Sequence, residues 1–261
     1  MAIITEKFLR RLHAEQKLPK EFLLQPEDKL TPSAKDFLLD RKIPIRTSGL
    51  LPSEERPQLM IPVGVSNRHA HLTEKHFFEL FGEAAKLTEL RLLSQHGQFA
   101  DQETVTIVGT SGVIMNVRIL GPFREHTQIE ISKTDGFTLG VHPPVRLSGS
   151  IAGTPGITLV GPKGSVTIEE GLIVARNHVH LSEEDAKKLD VKHGDSLILA
   201  SLKRQLIFPA VMVRVKDSYC LDFHIDQDEA NAADLKTGDS VKVVGKNRCL
   251  FSPILGVESD E

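Results

Sequence analysis

Apolar and polar positions change their period along the chain. In residues 4–16, Ile4, Phe8, Leu9 and Leu12 fall on one face at helical spacing, with Glu6, Arg10, Arg11 and Glu15 mostly elsewhere, which predicts an amphipathic helix. A second helix is signalled by Thr31 as N-cap, Pro32 at the first helical position and Phe37 and Leu38 on an apolar face. Pro44, Pro52 and Pro57 then punctuate a linker reaching to about residue 59. From Ile61 onward the chain turns β-rich, in short runs such as residues 104–108, 115–120, 156–160 and 196–200. Gly, Pro or Asp turns bound most of these runs, a pattern that suits small barrels or sandwiches. Short helices are expected at residues 73–81 and 182–189, the second opened by Ser182 with Asp185 at capping spacing. The expected fold is mainly β with short helices: two similar β-barrel domains from an internal duplication, plus a helical N-terminal extension. The expected boundaries are an extension of residues 1–58, a first half of 59–150 and a second half of 151–261.

The duplication shows most clearly in two His-X-His tripeptides, His69-Ala70-His71 and His178-Val179-His180. Apolar residues precede each copy, and a helix start with Thr73-Glu74 or Ser182-Glu183 follows. Residues two apart on a strand share a face, so each copy sets two imidazoles side by side, and imidazole is the commonest protein metal ligand. Further along, Gln128-Ile129-Glu130-Ile131-Ser132 and Asp222-Phe223-His224-Ile225-Asp226 both read as alternating strands running into an acidic turn. Aligning Ile131 with Ile225 puts Glu130 opposite His224. Each half then supplies three ligands: His69, His71 and Glu130 in one, His178, His180 and His224 in the other. Three protein ligands with one open position is the usual make-up of a catalytic zinc site. Nitrogen-rich sets also suit cobalt, nickel or iron. Decoration of a duplicated fold is the alternative.

Composition narrows the classes. The 261 residues include 40% hydrophobic ones and carry a formal charge of −3, which argues against a nucleic-acid-binding protein. No apolar run approaches the roughly 20 residues that cross a bilayer. The opening residues do not read as a secretory signal, and Cys220 and Cys249 alone imply no disulfide framework. The expected setting is the cytoplasm. Arg124 stands six residues before Glu130. On spacing alone it reads as a surface arginine paired with Glu125 or Asp135, and a phosphate clamp is the alternative. Arg68 and Arg176 precede the histidine pairs at unequal offsets. Asn67 and Asn177 serve either as ligand supports or as turn residues. Gly161-Pro162-Lys163-Gly164-Ser165 lacks the full phosphate-loop pattern and reads as a hairpin turn. Cys220 reads as a small buried apolar residue, and His13, His76, His96, His126, His142 and His193 as surface or core histidines.

Four motifs in order, the stretch from Val63 to Leu72, Gly97-Gln98-Phe99-Ala100, Gly161 to Val166 and His224 to Ala232, closely resemble the phosphate propanoyltransferase (PduL-type phosphotransacylase) family over roughly residues 60–245. The resemblance implies a pair of β-barrel domains with a dimetal zinc site, two Zn2+ per chain, for which Co2+ or another divalent metal can stand in. It implies reversible exchange of a short acyl group, propanoyl or acetyl, between coenzyme A and phosphate. It implies that His69, His71 and Glu130 hold one metal, that His178, His180 and His224 hold the other, and that Arg124 is the catalytic, phosphate-binding arginine. Expected partners are coenzyme A or acyl-CoA, phosphate or acyl phosphate, and a second copy of the chain, with neither nucleic acid nor membrane. Family members often work inside bacterial microcompartments, while others are free in the cytoplasm; the resemblance therefore also implies that residues 4–16 can meet shell or core proteins of such a compartment. Two rival classes use the same ligands: a dimetal hydrolase and a non-catalytic metal-binding assembly protein.

Overall fold

The computed structural model describes residues 3–24, 28–47, 59–247, 249 and 250. Its contacts separate an N-terminal unit, ending at residue 57, from a unit spanning residues 58–250. In the N-terminal unit, β1 (Ile3–Ile4) leads into α1 (Glu6–Ala14). Then come β2 (Phe22–Leu24), β3 (Lys29–Leu30), α2 (Pro32–Asp40) and β4 (Ile45–Thr47). The hydroxyls of Thr5 and Thr31 accept the amides of Phe8 and Ala34, satisfying donors that the first helical turn leaves free. Ile4 pairs with β3 instead of extending the helix. The apolar face of α1 is covered by its own unit: Leu9 is fully buried in a cluster with Phe22, Ala34, Phe37 and Leu38. Pro44 also belongs to this unit, its carbonyl accepting the Phe22 amide. Pro52 and Pro57 of the expected linker lie outside the described residues.

The larger unit runs β5 (Met60–Ser66), β6 (His69–His71), α3 (Glu74–Phe81), β7 (Glu89–Leu92), β8 (Phe99–Val108), β9 (Val113–Gly121), β10 (Gln128–Glu130), α4 (Lys133–Leu139) and β11 (Val145–Arg146). It continues through β12 (Ile157–Val160), β13 (Ser165–Ile168), β14 (Leu172–Ala175), β15 (His178–Leu181), α5 (Glu183–Leu189), β16 (Ser196–Ser201) and β17 (Leu206–Val215). It ends with β18 (Asp222–Asp226), α6 (Gln227–Ala233), β19 (Ser240–Lys246) and β20 (Cys249–Leu250). Thr73, Ser132, Ser182 and Asp226 cap the four helices of this unit, so a strand-to-helix step with a polar cap follows each strand that carries a candidate ligand.

The strands of the larger unit form, among the described residues, two sheets of related order. In the second, β16, β17, β15, β18, β5 and β19 make a closed six-stranded barrel, because β16 also pairs β19. In the first, the order β11-β14-β10-β6-β9-β8-β12-β13 repeats much of that succession but stays open as a curled half-barrel, with β7 beside β8. The halves interleave. β5, just before the first His-X-His, lies in the second sheet parallel to β18. β14, just before the second, lies in the first sheet parallel to β10. Strands β12, β13 and β14, which follow residue 150 in the chain, all belong to the first sheet. The chain crosses between sheets directly before each histidine pair, which sets both pairs where the sheets meet. In the first sheet Val105, Ile107, Val117, Ile119 and Ile129 pack on Phe77 and Leu80 of α3. Phe77 lies 4.8 Å from Phe81 and 5.3 Å from Phe123. The next amide along, that of Arg124, donates to the Leu72 carbonyl, so the segment carrying Arg124 is anchored to the core and to the residue that follows β6.

Candidate metal centre

Register assembles the ligands. β6 and β10 run antiparallel with His69 opposite Glu130 and His71 opposite Gln128. β15 and β18 repeat this with His178 opposite His224 and His180 opposite Asp222. Within each triad the candidate ligand atoms lie within 4.8 Å of one another, and all six residues are buried except the half-buried His224. His69 Nε2 stands 3.4 Å from Glu130 Oε2. The rings of His178 and His180 are 4.7 Å apart, and His224 lies 5.2 and 4.8 Å from them.

Neighbouring acceptors decide which nitrogen of each ring is free. His69 Nδ1 sits 2.9 Å from the Asn67 carbonyl and His178 Nδ1 2.8 Å from the Arg176 carbonyl, two residues upstream in both cases. His71 Nδ1 sits 3.3 Å from the Leu120 carbonyl. A carbonyl only accepts, so these Nδ1–H groups donate and leave Nε2 with its lone pair. His224 is reversed: its Nε2 is 3.0 Å from Asp222 Oδ2, leaving Nδ1 free. His180 Nδ1 is buried with no hydrogen-bond partner.

Burial pulls His71 well below the ordinary histidine range, helped by the charges of His69 and Arg124. Burial likewise takes His178 down to about 4 and His180 to about 2, with neighbouring histidines adding to the effect. These rings are neutral at pH 7. Burial also acts downward on His69, but the Glu130 carboxylate outweighs it and raises the ring. Burial opposes ionisation of Glu130, yet His69, His71 and a Ser148 hydrogen bond hold its carboxyl far below the usual range. Neutral imidazoles with free lone pairs, an ionised carboxylate, an orphaned buried nitrogen and no cysteine make a donor set that fits two divalent ions.

Both triads line one cavity of about 440 Å³, together with Arg124, Ser148, Arg214 and Tyr219. The surface pairing of Arg124 with Glu125 or Asp135 is not what forms: Asp135 is bonded to Arg68 at 2.9 Å. Among the described residues no carboxylate lies within ion-pair distance of Arg124, and its Nη1 donates to Ser148 Oγ at 3.1 Å. The Asn67 side chain acts locally, accepting the Arg68 amide, while that of Asn177 donates across the fold to Glu229. In the first pair it is the Asn67 backbone carbonyl that orients a ligand. Residues 161–164 form the β12–β13 turn, closed by Gly161 and Gly164. Cys220 lies outside β18 and is half-buried. Its backbone is clamped by both ends of the buried Gln95 amide, at 3.0 and 3.2 Å.

The sequence alone did not single out Gln128, Ser148, Ser94, Asp222, Arg214 or Tyr219. Gln128 and Asp222 carried a signal, standing two residues before the third ligand of each triad and hence on its strand face. Ser94 and Ser148 lie in loops, where no periodicity points inward.

The profile of the phosphate propanoyltransferase family matches residues 62–236. The chain belongs to the phosphate propanoyltransferase family. The matched span holds both triads and Arg124. A phosphate propanoyltransferase of Thermotoga maritima is 53% identical over 166 residues, 63% of this chain and 79% of that protein. Those of Rhodobacter capsulatus and Citrobacter rodentium are 48% and 49% identical, covering 63% and 65% of this chain and 77% and 80% of theirs. The family is one of acyltransferases, and no helix among the described residues is long and apolar enough to cross a membrane.

Proposed function

We propose that this chain is a phosphotransacylase that exchanges a short acyl group between coenzyme A and phosphate, with propanoyl the expected group: acyl-CoA and phosphate give acyl phosphate and free CoA, reversibly. The observation that carries this is an arginine, Arg124, with no carboxylate at ion-pair distance among the described residues, lining one cavity with both ligand triads. Each triad holds one divalent ion, zinc being the expected one. When bound, such ions supply Lewis acidity, which favours a thiolate over a thiol and polarises a carbonyl.

The chain's own groups do the remaining work. Arg124 offers the parallel donors of a guanidinium to the phosphate oxygens, while Ser148 and the Leu72 carbonyl hold its side chain and backbone in place. In the direction that makes acyl-CoA, the CoA sulfur bonds the carbonyl carbon, and the bond to the phosphate oxygen breaks toward Arg124. In the other direction Arg124 holds the incoming phosphate. Arg214 lines the same cavity and adds positive potential for both anions. The acyl preference rests on cavity shape, where one methylene is worth about 1–3 kcal/mol.

Free-thiol release from propanoyl-CoA, followed with and without phosphate on zinc-loaded and chelated protein, tests the reading. Release is expected only with both phosphate and metal. Arg124→Ala should lower it on the order of 10²–10³-fold with metal content unchanged, the cost typical of losing one preorganised charge-stabilising donor. Phosphate-independent release would make the chain a hydrolase, and full turnover in Arg124→Ala would remove the clamp. The proposal extends to location in a bacterial microcompartment, with the N-terminal unit as the assembly element. Because Leu9 is buried within that unit, contact with shell or core proteins would use exposed Phe8. Phe8→Glu should then abolish co-purification with the compartment, and unchanged co-purification would refute the role.

A further inference from the structure

The third ligand of each triad is supported by the residue two positions before it on the same strand, and the two supports differ in hydrogen-bonding character. Glu130, a carboxylate, can only accept, and Gln128 Nε2 donates to its Oε1 at 2.7 Å. His224 presents an N–H, and Asp222 Oδ2 accepts it at 3.0 Å. Each support is itself held by a loop serine. Gln128 Nε2 also donates to Ser148 Oγ at 2.9 Å, and its Oε1 accepts the Gly149 amide at 2.7 Å. Ser94 Oγ donates to Asp222 Oδ2 at 2.6 Å.

Further features serve the second pair alone. The turn that presents Ser94 is closed by the Gln98 amide on the Gln95 carbonyl and the Leu93 amide on the Gln98 carbonyl, with Gly97 at φ +75°. The Gln95 amide then ties this loop to the Cys220 backbone beside β18. Room for the pair comes from Gly64 on the exchanged strand β5: a β-carbon there would lie 2.8 Å from Asp222 Oδ2 and 3.1 Å from His224 Cδ2. At the equivalent register of the first sheet, opposite Glu130, stands the fully buried Ile173.

We infer that Gln128 and Asp222 are paired positioning residues, whose donor or acceptor character is matched to the third ligand, and that Asp222 turns His224 so that Nδ1 faces His178 and His180. A ring held by Nε2 cannot rotate without breaking the Asp222 bond, which itself is set by Ser94. The first sheet's loop thereby completes the second triad. This inference rests on the proposal that the triads hold metal ions.

The test is Co2+ titration followed by visible absorption, with Zn2+ content after dialysis against a chelating competitor as the independent readout. Asp222→Ala should weaken the second site about 10–100-fold, the usual cost of losing a ligand-orienting partner, and leave the first site unchanged. Asp222→Asn keeps an acceptor oxygen and the side-chain shape, so it should lose less, which separates orientation from misfolding. The matching rule is tested by rescue. Glu130→His alone should weaken the first site, because Gln128 Nε2 then faces an imidazole that has an N–H to donate. Adding Gln128→Asp should recover about tenfold of that affinity, within the range set by such supports. Unchanged affinity in Asp222→Ala, or no recovery in the double variant, would overturn the positioning roles. A wild-type chain that takes up no metal would instead bring down the metal reading, and these roles with it.

Discussion

Two triads stand at the same register in two related sheets, and comparing them separates what duplication sets from what local chemistry sets. The duplicated part is geometric: an antiparallel strand pair, two histidines on one strand and a third ligand opposite the first of them. The unlike part is charge. The first triad contains an ionised, buried Glu130 whose field raises His69. The second contains three imidazoles, of which His178 and His180 are held neutral, with Arg214 among the causes in both. The first triad thus includes a carboxylate among its donors, and the second is all imidazole. The scaffold fixes where the donors are, and their neighbours fix how electron-rich each site is.

The comparison breaks hardest at the ligands. Glu130→Ala and His224→Ala should each remove one ion and lower turnover by more than the ~10–100-fold that loss of a supporting residue costs. Glu130→Ala should also unsettle Arg124, because Gln128 and Ser148 join the two side chains through hydrogen bonds. Phosphate KM should therefore rise in Glu130→Ala and hold in His224→Ala. Equal phosphate KM in the two variants would mean that the first triad and the clamp act separately.

A sharper contrast uses one register position in both sheets. Gly64→Ala pushes a β-carbon onto the Asp222–His224 pair and should weaken the second site about tenfold, in the manner of a lost support. Ile173→Ala removes a fully buried side chain opposite Glu130 and should cost about 2–5 kcal/mol of stability. First-site affinity, measured well below the melting transition, should not change. Opposite outcomes at matched positions are expected, and a stability loss alone in Gly64→Ala would show that the glycine serves packing only.

Much of this was legible in the chain before the fold. The period-two runs, the helix starts at Thr73 and Ser182 and the His-X-His repeat all encode local geometry, and the alignment of Ile131 with Ile225 picked out, through strand alternation, the Glu130 and His224 that stand beside the histidine pairs. The strand exchange was not legible, because β5 and β14 look the same from the sequence whichever sheet they join. The partner of Arg124 was not legible either: Asp135 is near in sequence, but Arg68 reaches it across the fold. Ser94 and Ser148 approach their targets from loops separated from them by 128 and 20 residues, and no local pattern records that distance.

The last contrast bears on stability and not on the site, and concerns buried polar groups on the equivalent strands β8 and β16. Ser201 on β16 is buried but satisfied, donating to the Ala233 carbonyl at 2.9 Å. Asp101 on β8 is fully buried with neither carboxylate oxygen bonded. Burial, aided by Glu103 and opposed by Arg118, raises its carboxyl from 3.8 to about 7. The unfolded chain thus releases this proton at lower pH than the folded one, so Asp101 lowers stability progressively as pH rises from about 4 to 7. Asp101→Asn should flatten that part of the melting-temperature profile, and an unchanged slope would show that Asp101 does not titrate there.

The central claim is that one catalytic centre is built from two triads of unlike charge, and counting metal tests it most directly. Zinc-loaded chain, freed of loosely bound ion and analysed by mass spectrometry of the metal, should hold two ions in the wild type and one each in Glu130→Ala and His224→Ala. Wild-type chain with no ion, or triad variants that still hold two, would contradict it.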